Sequence, residues 1–411
     1  MKEFDFKNEL FPTSTRQAEV SDEGEIGAFL KRAYGDRSIF KYPERWNWEY
    51  RQNPYWGKNG LPIYIAFHKN KMIGQTGAMY VPLKIGGIIC NAAWSVDSIV
   101  LPEYRSKGYG KILQRISSQN HEIFMSLRSS ATNRKIKAGL GSLTLINVPT
   151  YLKWVKVDPD NLFNAVKTGL RQRRFIGLIL MKFYNVLRIN TILFLAVKFY
   201  IKLKNSFSIK IEFDSDFDIV EVDNFPNEVD EFWNEFKEYF DILVVRDKKY
   251  LNWKYVSQPH VSYRKFIAKK FGKICGILVL RLAKPPEANI GIIAEMLALP
   301  HEVRILRQLT KFSLNFFNNG VEAIRCATSV KQFSRVFKEF SFSKEYVDPF
   351  VFFSKNDNLM KSAAKANSNF FFSVGDHDYD QYPLQKLKYK FGLFNLDALR
   401  AAKRLFSIKR G

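Results

Sequence analysis

Residues 93–113 read AWSVDSIVLPEYRSKGYGKIL, and the rest of the chain is organised around them. Trp94 to Val100 has the β-branched and aromatic composition of a buried strand. Pro102 stops it, because proline cannot donate to a ladder. Arg105, Ser106, Lys107, Gly108, Tyr109 and Gly110 form a loop and a helix start. From Lys111 onward Ile112, Ile116 and Ile123 recur at helical spacing. A strand feeding a glycine loop that opens a helix suits a phosphate. The first turn of a helix leaves N–H groups unpaired, and the helix dipole adds partial positive charge. Gly108 and Gly110 let an anion approach the backbone closely, and Arg105 and Lys107 supply charge. The spacing is that of neither a P-loop nor a Gly-x-Gly-x-x-Gly dinucleotide site.

The run Arg105-Ser106-Lys107-Gly108-Tyr109-Gly110, led by Val100 and Pro102, resembles the Arg/Gln-x-x-Gly-x-Gly/Ala signature of the GNAT acyltransferase superfamily. The resemblance implies that this loop holds the pyrophosphate of acetyl-CoA, the cosubstrate. It also implies a backbone N–H near Ile99 or Val100 that polarises the thioester carbonyl, and an Asn133 that contacts the pantetheine arm. Helix capping is the other role open to Asn133. Many relatives carry a tyrosine just before the glycine that ends the following helix, where it protonates the departing thiolate. Here that place reads Ile136-Lys137-Ala138-Gly139, and Tyr151 is the nearest aromatic hydroxyl downstream.

In such a reaction an amine attacks the thioester directly while both reactants are held in line. A base must take the ammonium proton. Asp97 is the first candidate and Glu49, beside Trp48 and Tyr50, the second. Strand alternation places Ser95, Asp97 and Ile99 on one face and Trp94, Val96 and Ser98 on the other. A structural role for either carboxylate is the alternative.

The chain has 411 residues, a length for two or three domains, and 46% hydrophobic residues with 37 Phe. A net charge of +24 suggests anionic partners. Cys90, Cys275 and Cys326 are too scattered for a disulfide framework or a zinc site. The five histidines lack metal-ligand spacing, so no metal is expected. A reducing, cytoplasmic compartment fits. The acidic start MKEFDFKNEL does not read as a signal peptide.

Ile63–Phe67 and Ile73–Met79 read as a hairpin turning at Lys69-Asn70-Lys71, and Val81–Ile85 with Ile88–Ala92 as another turning at Gly86-Gly87. Phe124–Leu127 follows as a strand parallel to the central one. A helix runs from Thr132 to Gly139, and Leu143–Val148 and Tyr151–Val157 close a first domain, 1–157, as strands. That order is like the GNAT fold. From 161 to 211 there is no Asp or Glu but ten Lys or Arg. Arg188, Thr191, Lys198 and Lys202 would share one helix face, opposite a wide apolar one. A basic amphipathic connector, 158–211, is expected. It reads equally as an in-plane helix on an anionic membrane and as a linker packed between domains. No motif supports nucleic-acid binding.

A second domain, 212–355, repeats the first. Trp48, Tyr50 and Pro54 match Trp253, Tyr255 and Pro259 in register, and a hairpin follows each. After Pro300, however, HEVRILRQL replaces the glycine loop, so this copy is expected to have lost CoA binding and to shape the substrate cleft. A basic tail, 356–411, remains. In it Asp376, Asp378 and Asp380 alternate; without a calcium-loop pattern they read as a solvated turn. The expected architecture is therefore α/β, with two GNAT-like domains of mixed, mostly antiparallel sheet and flanking helices. The expected function is transfer of an acetyl group from acetyl-CoA to a small-molecule amine, such as an amino sugar in surface polysaccharide synthesis, in the cytoplasm or on the inner face of the membrane. Trp46, Trp48, Tyr50 and Trp94 would suit a sugar face or a core. The alternatives are a non-catalytic membrane-docked scaffold and an aminoacyl-tRNA-dependent transferase of tandem-GNAT type.

Overall fold

The computed structural model describes residues 13–57, 60–127, 129–163, 189–283, 289–366 and 369–381. After β1 (Thr13–Gln17), α1 (Glu23–Tyr34) and the short α2 (Glu44–Trp46) with its π-helical turn Asn47–Arg51, two long hairpin strands follow. Lys69 and Asn70 both take left-handed φ, 48° and 61°, as a two-residue turn of the right twist requires. They join β2 (Ile63–His68) to β3 (Lys71–Ile85), which turns at Gly86-Gly87 into β4 (Ile88–Val100). The expected separate strands Ile73–Met79 and Val81–Ile85 are thus one strand. The expected Ile88–Ala92 strand and the central strand are also one. Tyr80 and Ala93 pair across both junctions, so nothing interrupts the ladder there.

The strand–loop–helix reading holds: α3 (Tyr109–Asn120) follows the loop, while Ile123 opens β5 (Ile123–Ser126) instead of continuing the helix. Next come α4 (Ala131–Ala138) and β6 (Leu143–Trp154). β6 is a single strand through Pro149, where two were expected. Residues 164–188, including Arg188 and nearly half of the basic connector, lie outside the described residues. Of the connector, α5 (Ile189–Ser206) is described.

The second half repeats this order: β7 (Phe217–Glu221), α6 (Val229–Phe236), β8 (Ile242–Val244), α7 (Lys248–Tyr255), β9 (Tyr263–Lys270), β10 (Lys273–Ala283), β11 (Ile290–Ala298), α8 (Val303–Phe317), β12 (Ala323–Ala327), α9 (Lys331–Glu339) and β13 (Ser343–Ser354). Then come α10 (Asp357–Lys365) and the two-residue β14 (Phe370–Phe371).

All fourteen strands share one mixed sheet, ordered β1-β2-β3-β4-β5-β13-β6-β12-β11-β10-β9-β7, with β8 and β14 alongside β3. The order is the same from either end. Each half contributes four antiparallel strands, β1 to β4 and β7, β9, β10 and β11, and one parallel neighbour, β4 with β5 and β11 with β12. The last strands are exchanged: β13 of the second half lies on β5, and β6 of the first lies on β12, with β6 and β13 paired between them. Trp48 and Trp253, 205 residues apart, stack at 4.8 Å between the halves, and Trp48 Nε1 donates to the Trp253 carbonyl. Trp46, Trp48, Tyr50 and Trp94 are all fully enclosed core residues, so the sugar-stacking alternative for them is overturned. Among the described residues no helix is long and apolar enough to cross a membrane.

Candidate functional site

The phosphate-type loop is built as its composition requires. Arg105 closes a turn on Pro102, then Ser106 and Gly108 take left-handed φ of 63° and 89°. Left-handed residues alternating with ordinary ones turn successive N–H groups to one side, a concavity that accepts an anion. Gly108 is the N-cap of α3, and the first intrahelical bonds run from Lys111 and Ile112 to its carbonyl. The N–H groups of Tyr109 and Gly110 precede those bonds and point out of the helix start. A Cβ at Gly108 or Gly110 would meet nothing within 4 Å, so the space over the loop is open. Arg105 Nε donates to the Val100 carbonyl at 2.9 Å, tying the loop to the end of β4.

A cavity of about 530 Å³ lies over this loop. Its lining brings together Ile99, Val100, Arg105, Ser106, Gly108, Tyr109, Gly110 and Asn133. Lys107 is not part of the lining; its ammonium lies 5.3 Å from the ring of Tyr104, which is. The cavity exists because β4 and β5 part. They pair only at Ala92–Ile123, Ala93–Phe124 and Trp94–Met125. Beyond Trp94, β4 carries a bulge: Gln75 faces Ile99 while Gly77 faces Val96, so two steps along β3 match three along β4. Asp97 sits in the bulge at φ 49°. A bulge bends and twists its strand, and it breaks the simple alternation expected for Ser95 to Ile99. Ser98 turns toward α3, 2.6 Å from Thr76 Oγ1 and accepting from Gln114 Nε2 at 2.9 Å. Across the gap, α4 presents Asn133. Ser130, not Asn133, caps that helix, accepting from the Asn133 N–H at 3.2 Å, which leaves the Asn133 side chain to the cavity.

The proposed acid–base residues lie elsewhere. Asp97 pairs with Lys41, both side chains 3% exposed, and accepts from Tyr50 at 3.1 Å. Glu49 is fully buried, 3.3 Å from Arg45 Nη2, and its Oε1 has no partner among the described residues. Burial raises its pKa to about 7; Arg45 opposes this, while Asp97 and Asp378 add to it. Asp97 and Glu49 thus share one buried network behind β4, outside the cavity lining. Tyr151 is not brought to either place. It lies where β6 pairs with β12, its ring 6.0 Å from Phe337 of α9.

That network has members the sequence did not announce. The expected solvated turn at Asp376, Asp378 and Asp380 is instead buried between the halves. Asp378 pairs with Arg45 and with His377, and lies 3.8 Å from Lys41. Burial alone would raise its pKa, but His377 and Arg45 outweigh that and hold it well below the ordinary value. Asp376 receives Arg246 Nη2 at 2.7 Å on both oxygens, and Asp380 accepts from Tyr263. The same offset of 205 carries Lys41 to Arg246 and Tyr50 to Tyr255. In the second half Arg246 and Tyr255 both bond Glu295 of β11, at 3.2 Å each. Each half therefore keeps a cation, a tyrosine and a carboxylate around its central strand.

No protein-family profile and no curated protein matches the chain. Solved structures do. A GCN5-related N-acetyltransferase from Anabaena variabilis superposes with a TM-score of 0.52 at 12% identity, over 84% of this chain and 74% of that one. A probable N-acyltransferase from Enterococcus faecalis gives 0.53 at 11%, over 83% and 71%. N-myristoyltransferase from Saccharomyces cerevisiae, with bound myristoyl-CoA, gives 0.53 at 11%, over 86% and 84%. The chain has the GNAT fold. It has it twice, as two GNAT-like halves in one sheet, and the halves differ at the cleft. Between β11, β12 and α9 of the second half lies a void of about 10 Å³, with Phe333, Phe337 and Phe371 among its lining residues.

Proposed function

We propose that this protein transfers an acyl group from an acyl-CoA thioester to an amine. The observation that supports it is the open cavity at the parting of β4 and β5, floored by the left-handed loop and the start of α3. In this reading the pyrophosphate sits on the N–H groups of Ser106 to Gly110, with Arg105 and Lys107 adding charge. Asn133 meets the pantetheine arm. Backbone N–H groups on the edge of β4 that β5 has left, near Ile99 and Val100, polarise the thioester carbonyl. The amine attacks the carbonyl carbon, the C–S bond breaks, and the CoA thiolate leaves. The ammonium proton leaves to water in the open cavity, because Asp97 and Glu49 stand behind β4 in the buried network and Asp97 is held by Lys41. Acetyl-CoA is the assigned donor and an amino sugar the assigned acceptor. A longer acyl group is the second reading, favoured by the similarity to a protein with bound myristoyl-CoA.

The test is calorimetric titration with acetyl-CoA and with longer acyl-CoAs, on wild type and on Gly110→Trp. Gly110 has an ordinary φ and open space at its Cβ, so the variant adds bulk to the cradle with little strain. Binding to wild type that the variant loses, with unchanged melting temperature, is the expected result. A folded wild type that binds no acyl-CoA would refute the reading and leave a scaffold.

A further inference from the structure

The helix α5 is amphipathic in an unusual sense, because both of its faces are apolar. Val197 and Ile201 are buried against Val157 and Leu162, with Leu193 and Phe194 beside them. The opposite face carries Ile192, Leu195, Phe199 and Leu203 at successive turns. That face is uncovered: Ile192 is 67% exposed, Leu195 56%, Phe199 66% and Leu203 46%, and Phe207 just beyond the helix end is 78% exposed. Scattered apolar residues on a surface need no explanation, but a contiguous stripe at helical spacing does.

Charge identifies what covers it. Lys198 and Lys202 stand one row round the helix from the stripe, both exposed. Between them and the end of β6 runs a groove of about 510 Å³, floored by Val155, Val157, Phe194 and Ile201 and rimmed by Lys156, Lys198 and Lys202. Among the described residues no acid forms an ion pair with these three lysines. The sequence from 161 to 211 contains no Asp or Glu at all. An apolar stripe with a cation-rimmed groove along its edge matches an amphiphile: hydrocarbon under the stripe, an anionic headgroup among the lysines. A second copy of this chain would bring the same lysines against themselves and meet like charge.

We propose that α5 docks this protein on an anionic bilayer, with Ile192, Leu195, Phe199 and Leu203 in the acyl boundary and a phospholipid phosphate between Lys156, Lys198 and Lys202. The helix lies in the plane of the interface, as its 18 residues and single outward stripe dictate. The proposal does not depend on acyl transfer, since none of these residues lines the cavity at the β4–β5 gap.

The test is co-sedimentation of the full chain with vesicles of phosphatidylcholine, and of phosphatidylcholine mixed with phosphatidylglycerol. The expected result is binding to the mixed vesicles and little to the neutral ones. Each lysine near an anionic surface is worth about fivefold in partition, so Lys198→Gln with Lys202→Gln weakens binding by about 25-fold. Leu195→Ser with Phe199→Ser weakens it by at least tenfold, from lost apolar burial. Both variants change exposed positions, so melting temperature stays at the wild-type value. The proposal is overturned if wild type does not sediment with mixed vesicles. It is equally overturned if the Leu195/Phe199 variant binds as wild type does, which would mean diffuse attraction of a basic protein. A lipid-free dimer that the same variant makes monomeric would assign the stripe to a second copy and overturn it too.

Discussion

Replacing Glu49 by Gln should make the protein more stable at neutral pH and change the shape of its pH profile. Glu49 is fully enclosed, and burial raises its pKa from 4.5 to about 7. Between those values the native chain holds a proton that the unfolded chain has released. Stability therefore falls as pH rises through that window, the reverse of an ion-paired surface carboxylate. At about 1.4 kcal/mol for each pH unit between the two values, the full penalty is about 3 kcal/mol. The group is not exposed, so no solvent screening reduces it. Glutamine keeps the shape, can still accept from Arg45, and has nothing to ionise. Arg45 also keeps Asp378. Urea unfolding of wild type and Glu49→Gln at intervals from pH 4.5 to 8, followed by tryptophan fluorescence, measures the difference directly. Every other titrating group contributes to both curves and largely cancels. The variant's advantage should grow by about 3 kcal/mol across the range, most of it between pH 5 and 7. Parallel curves would mean that Glu49 ionises normally, and the account of the buried network would be wrong.

Two further perturbations separate roles that the sequence left joined. Ser130→Ala should cost about 1 kcal/mol of stability through loss of the α4 cap, whereas Asn133→Ala should leave the melting temperature alone and weaken acyl-CoA binding; calorimetry and thermal melts on both variants distinguish them, and equal behaviour would refute the division. Asp378→Ala should destabilise by about 3–5 kcal/mol, because it strips the buried Arg45 of a partner, and a loss below about 1 kcal/mol in urea unfolding would show that the tail is not part of the native core.

What could be read in advance depended on how local the physics was. The loop at 105–110 was legible because a strand, a proline stop, two glycines and a helix form one short stretch, and its geometry depends on those residues alone. The duplication was legible because Trp48 and Tyr50 keep register with Trp253 and Tyr255. Strand partners were not. Hydrophobic alternation marks β6 and β13 as strands, but nothing in either says which half it completes. The tail aspartates were misread for a related reason. Alternating carboxylates near a basic terminus look solvated, and the cation that buries Asp378 is Arg45, 333 residues earlier. The bulge at Asp97 was hidden as well, since an extra residue in one strand shows only against its partner's register.

The exchange of β6 and β13 bears on why one cleft stays open and the other does not. In each half the gap beyond the parallel pair is bordered by the strand that the other half supplies, so neither cleft can be completed without its partner. The halves are thus coupled through the sheet, yet they are free to diverge in the side chains over it. The first half keeps glycine at 108 and 110, and its cavity remains. The second has no glycine loop after Pro300, and Phe333, Phe337 and Phe371 line a void of only about 10 Å³ between β11, β12 and α9. Packing aromatic side chains between β11, β12 and α9 removes apolar surface from water and stabilises the shared sheet. It also supports the wall of the open cleft, because β13, the strand lying on β5, is the second half's own. Each half is in this way a structural necessity of the exchanged sheet. The second half's polar centre, Arg246, Tyr255 and Glu295, is buried as deeply as that of the first half, with Asp376 of the tail neutralising its arginine. The tail segment 370–381 closes both centres at once, so the two halves share one buried polar core as well as one sheet.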